Sequence, residues 1–194
     1  MPGNVAPVAD EREGLLAYLA QQRYVLRLSA YGLTDEQARL APSASTLSVG
    51  GLIKHVAAVE QEWINLTAGR PSFEQSPEDY HLQFVLGEDE TLEGVLGRYD
   101  EVAATTAETV AGIADLGRAV PVPDMPWFPD DVEAWSVRWV LLHLIQETAR
   151  HAGHADIVRE SVDGATGFPL MAAAENWPPS PFLQPWRPAD HSAG

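Results

Sequence analysis

Four stretches of the chain repeat their apolar residues every three or four positions, and none alternates them residue by residue. That period puts the apolar side chains on one face of a helix, so four such faces must be buried against one another. The first stretch covers residues 10–31, with Leu15, Leu19, Val25, Leu26 and Leu28. Thr34 and Gln37 then form a capping-box pattern that opens a short helical turn. The second covers 48–69, with Ser48 as N-cap, Gly69 as stop, and a stripe of Leu52, Val56, Val59, Trp63 and Leu66. The third, 91–116, ends at Gly117 and carries Leu92, Val95, Leu96, Tyr99, Val102 and Val110. The fourth starts near Trp135 and Ser136 and stops at Gly164, with Val137, Val140, Leu144, Ala155 and Val158.

The connections have their own character. Residues 70–90 read as a polar loop holding Phe73, Tyr80, His81 and Phe84. Residues 118–134 place Pro121, Pro123, Pro126 and Pro129 around Trp127 and Phe128, a density that opposes helix and favours an extended path. No strand pattern is found, and no repeat at solenoid periods. After Gly164 the chain is rich in Gly, Pro and Trp, including Trp177 and Trp186, without a helical period. It is expected to wrap the bundle in part, with the last eight residues or so frayed. The expected fold is therefore all-α: a four-helix bundle with long crossover loops over residues 1–165, and an irregular tail over 166–194 that packs on it.

With 194 residues, 45% of them apolar, the chain can bury a core without disulfides or a structural metal. It has no cysteine, which removes thiolate ligands and any cysteine nucleophile of its own. The N-terminus lacks a basic-then-apolar leader pattern and no apolar run is long enough to span a bilayer, so the expected location is the cytoplasm. The formal charge of −16 repels phosphate backbones and anionic membranes, which speaks against nucleic-acid and membrane partners.

Three of the six histidines, His143, His151 and His154, fall on the fourth stretch with Glu147. At about 100° per residue, Glu147 and His151 lie about 40° apart and one turn apart, and both sit on the core-facing stripe. A carboxylate there demands a partner. A Glu/His pair at this spacing can grip one metal ion from adjacent turns, with His55 of the second stripe as the facing third ligand. Two imidazoles and one carboxylate leave a tetrahedral divalent ion one open position, the catalytic arrangement. The bland alternatives are a satisfied core histidine at 55 and a buried Glu147 paired with His151, Arg150 or Arg159. His143 and His154 stand in reserve as ligands or as groups orienting one, whereas His81 and His191 read as surface residues.

The segments GGLIKHVAAVEQEW (50–63) and WVLLHLIQETARHAGHADIVRE (139–160) resemble the DinB / YfiT-like superfamily of metal-dependent four-helix bundles, closest to its actinobacterial mycothiol-dependent branch. The superfamily usually holds its metal with three histidines. Glu147 departs from that pattern and instead is similar to the His/Glu/His set of mycothiol-dependent maleylpyruvate isomerases, which implies His55, Glu147 and His151 as ligands. The additional C-terminal domain of those isomerases has no counterpart here, so isomerase activity is not expected.

The resemblance implies a metal-dependent thiol S-transferase, mycothiol being the cosubstrate, in which a metal-bound thiolate adds to a small electrophile in a detoxification reaction. Tyr80, Trp127 and Phe128 are candidate pocket walls, and Arg150 and His154 candidates for holding polar groups. Zinc is the first choice of metal, with nickel, iron and manganese compatible with the same donors. Two alternatives stand beside this one: a metal-assisted hydrolase with water in the open position, and a non-enzymatic binding protein whose buried polar cluster is structural. Exposed tryptophans offer a surface for a homodimer.

Overall fold

Each of the four periodic stretches is a helix in the computed structural model, which describes residues 3–74 and 76–188. Helix α1 is Glu11–Ser29, capped by the Asp10 carboxylate, which accepts from the Glu13 amide. The short α2, Asp35–Arg39, opens on the Thr34/Gln37 capping box. Ser48 caps α3, Val49–Thr67, and the chain leaves it through Gly69 at φ +70°. Helix α4 is Pro77–Leu82, and α5 is Leu92–Ala111. Strands β1 (Ala119–Pro121) and β2 (Ala134–Ser136) precede α6, Val137–Asp163, which ends on left-handed Gly164. Helix α7, Gly167–Ala174, follows.

Polar contacts fix the helix directions. Arg138 pairs with Glu11 at the starts of α6 and α1, while Arg159 donates to the carbonyls of Ser29 and Tyr31 at their other ends, so these two helices run parallel. Arg12 donates to the Val110 carbonyl and Arg27 to Asp100, which makes α5 antiparallel to α1. Late α3 (Trp63, Ile64) packs with Leu19, Val137 and Val140, whereas early α3 (Leu52, Val56) packs with Leu26, Ala155 and Val158. Helix α3 is therefore antiparallel to α1 and α6, and the bundle runs up-down-down-up. Because α3 and α5 point the same way, the chain between them must travel the length of the bundle, and it lays its aromatic residues across α3 on the way.

Three connections hold structure that the periodicity did not signal. The 70–90 loop contains α4, opened by a Ser76/Asp79 capping box. The 118–134 crossing is pinned at both ends by an antiparallel pair, Ala119 opposite Ser136 and Pro121 opposite Ala134, although no strand was expected. Three residues a side are too few to show alternation, and Val120 alone is buried. The tail holds α7, whose Leu170, Met171 and Ala172 are buried; two turns are too short to display a period. Beyond it the tail is irregular and returns to the bundle, where Trp186 lies 4.9 Å over the Arg159 guanidinium. Helix α5 stops short of the expected end at 116. Gly112 caps it, and Ile113 and Leu116 continue the apolar pattern from a buried turn instead. No helix among the described residues is long and apolar enough to cross a membrane. His191 and the terminal stretch from 189 lie outside the described residues.

Candidate metal centre

The first turn of α3 contains two adjacent glycines, Gly50 and Gly51, and their missing side chains shape the site. A Cβ on Gly51 would meet the Phe84 carbonyl oxygen at 1.9 Å, and one on Gly50 the Leu86 side chain at 2.6 Å. Residues 84–86 can therefore lie directly on the helix. This seats the Phe84 ring flat on the His55 imidazole, centroids 3.8 Å apart, and brings Gln83 Oε1 within 3.3 Å of His55 Nδ1.

Across the bundle, α6 supplies the other two groups. Glu147 Oε1 is 3.0 Å from His151 Nε2 and 3.4 Å from His55 Nε2, so one carboxylate oxygen faces both rings. One donor atom from each of the three residues falls within 4.8 Å of the others. His55 is 2% exposed and His151 8%. Hydrogen bonds from His151 and then His55 hold the Glu147 carboxyl well below the usual carboxylate range, against the upward push of burial.

The outer partners decide which ring nitrogens face the site. Gln83 Oε1 only accepts, so His55 must carry its proton on Nδ1 to bond it, which leaves Nε2 as a bare lone pair. His154 Nδ1 lies 3.4 Å from His151 Nδ1 and can hold that ring in the same tautomer. In the neutral rings two lone pairs then converge with a carboxylate oxygen, which protons on Nε2, as in the hydrogen bonds above, or a cation in their place relieves. A tetrahedral ion with bonds of about 2.0–2.1 Å holds its donors about 3.3 Å apart, close to the spacings of Glu147 from the two rings. The residues present fit a divalent metal.

Of the rival pairings for Glu147, that with His151 is formed, and those with Arg150 and Arg159 are not. Arg159 is spent on Asp163 and on the carbonyls of Ser29 and Tyr31. Arg150 is exposed on α6 and does not line the cavity described next. His154 sits behind His151 and is also outside that cavity, which gives it an orienting place.

Beside His55 and Glu147 is a cavity of about 160 Å³ that Tyr80, Trp127 and Phe128 line together with Trp63, Phe73 and His143. His143 stacks on Trp139, centroids 5.1 Å apart, and does not join the triad. Burial holds its imidazole below the ordinary histidine range, with Glu147 pulling the other way. His81 is exposed at the end of α4, its ring 6.1 Å from Tyr80. Gln83 and the stacking of Phe84 escaped sequence reasoning because a loop has no period. The adjacent glycines at 50 and 51 were the usable signal that a backbone passes close by.

A sequence profile of the family described as mycothiol-S-transferase matches residues 14–164. The chain belongs to that family. The structure is also similar to that of a conserved protein of a locus from Enterococcus faecalis, with a TM-score of 0.62 at 15% identity over 81% of this chain and 100% of the other. At that identity the likeness concerns the fold alone, and it supports the all-α bundle. No curated protein matches the chain.

Proposed function

We propose that this member of the mycothiol-S-transferase family joins mycothiol to a small electrophile in the cytoplasm, using a divalent metal held by His55, Glu147 and His151. The observation that carries the reading is the convergence of the two Nε2 atoms on one Glu147 oxygen, in a chain matched by that family over residues 14–164. Zinc is the metal we adopt, because three protein ligands with one exchangeable position is its common catalytic arrangement. When bound, such an ion supplies a Lewis acid that keeps a thiol sulfur ionised at neutral pH.

The remaining work falls to the chain's own residues. Glu147 sets the net charge of the site, and Gln83 and His154 hold the two imidazoles in the tautomer that presents Nε2. Phe84 covers one face of His55 and keeps water from it. The aromatic walls over the cavity exclude water from the side where an electrophile would lie. Since the chain has no cysteine, the sulfur nucleophile comes from the cosubstrate.

The test is conjugation of mycothiol to a model electrophile by metal-loaded and metal-free protein. The expected result is turnover that needs both metal and thiol. Undiminished turnover by folded metal-free protein overturns the metal's role, and turnover with buffer in place of thiol indicates hydrolysis instead.

A further inference from the structure

The cavity beside Glu147 is walled by rings and is sized for one more. Trp63 meets Phe73 edge-on at 5.2 Å and Phe128 at 5.6 Å, and Trp127 lies 5.7 Å from Tyr80 at the rim. The volume of about 160 Å³ is close to the ~150 Å³ of an apolar protein cavity that takes up benzene.

One wall is built against local preference. Phe73 has φ +58°, a left-handed backbone that bulky residues seldom adopt. Glu62 Oε2 holds it there, accepting from the Phe73 amide at 2.5 Å and from the Ser72 hydroxyl at 2.8 Å. Such conformations persist where the surroundings impose them, and they cluster at ligand clamps. The wall also carries polar ring atoms with no hydrogen bond to another described residue, those of His143, Tyr80 and Trp127 among them, and these can bond a substituent on a guest.

We propose that this cavity binds the electrophile as a planar, single-ring aromatic with a hydrogen-bonding substituent. Trp63, Phe73 and Phe128 clasp the ring, Trp127 and Tyr80 cover it, and the reacting carbon lies on the His55/Glu147 side. The identity of the reaction rests on the S-transferase reading; binding of the ring does not. For a benzylic halide, the sulfur's electron pair forms the S–C bond as the C–halogen bond breaks. The halide leaves with the bonding pair and the thiol proton passes to water.

The test separates the two. Tryptophan fluorescence of the full metal-loaded protein is titrated with 4-nitrobenzyl alcohol, an unreactive ring probe, with cyclohexylmethanol and tetramethylammonium as non-planar and cationic controls. Saturable quenching is expected from the ring probe, without competition from either control. Its Kd should weaken up to about tenfold in Trp127→Ala, which removes an exposed ring, and in Phe128→Leu, which keeps every tryptophan. Quenching that does not saturate, equal binding of cyclohexylmethanol or the cation, or an unchanged Kd in both variants overturns the proposal. Conjugation of mycothiol to 4-nitrobenzyl chloride, set against chloroacetamide, is then measured on the same samples. Ring binding with no conjugation of either electrophile sinks the transferase reading and spares the ring site. Conjugation of chloroacetamide without ring binding does the reverse.

Discussion

Glu60 and Glu147 both reach into the bundle, from α3 and α6, and both need partners that can stand in for water. Glu60 is fully buried. Arg23 grips both its oxygens, Nε to Oε2 at 3.0 Å and Nη2 to Oε1 at 2.5 Å, and the Thr106 hydroxyl donates to Oε1 as well. A guanidinium is always charged, so this cluster is neutral and complete within the chain. Glu147 has two imidazoles instead, and those are cations only when protonated. With their Nδ1 atoms engaged by Gln83 and His154, the charge that balances Glu147 is either a proton on Nε2 or a bound cation in its place. The first cluster closes the core and the second is receptive; the difference lies in the permanence of the partner's charge.

Breaking the closed cluster gives the largest effect. Arg23→Ala strands Glu60 without its cation and should cost about 3–5 kcal/mol of stability by urea denaturation, while the folded fraction keeps its metal affinity. Glu147→Gln does the opposite. Divalent-metal affinity by chelator competition should fall more than about 100-fold, since losing an outer partner alone costs about 10–100-fold, and metal-free stability should change far less than in Arg23→Ala. Zinc at a hundred times its Kd should stabilise the native protein by about 2.7 kcal/mol, and Glu147→Gln should not gain this. The smallest effect sharpens the account of the outer partners. Gln83→Leu should weaken metal binding about 10–100-fold with a nearly unchanged metal-free melting temperature, and Gln83→Glu, which still accepts from His55 Nδ1, should restore it.

Much of this is legible in the sequence. Helices α1, α3, α5 and α6 were readable because long amphipathic stretches declare a period, and Ser48, Ser136 and Gly164 because capping chemistry is local. His55, Glu147 and His151 could be placed on core-facing stripes by angle alone. Whether two stripes face each other at one height is a tertiary fact, and helical angles do not contain it. The same holds for Gln83 and Phe84, which reach His55 only because Gly50 and Gly51 let a loop settle on α3. The Arg23–Glu60 pair was also missed, as a charged residue at helical spacing looks the same whether it faces solvent or a partner. Short elements such as β1, β2 and α7 fall below the length at which a pattern can be seen.

The most direct test of the central claim is metal stoichiometry by elemental analysis after zinc loading and removal of excess ion, for the native chain and for His55→Ala, Glu147→Gln and His151→Ala. The account predicts one ion per native chain and its loss in every variant, each still folded by circular dichroism. A native chain that retains no ion, or variants that retain it as well as the native chain does, would contradict it.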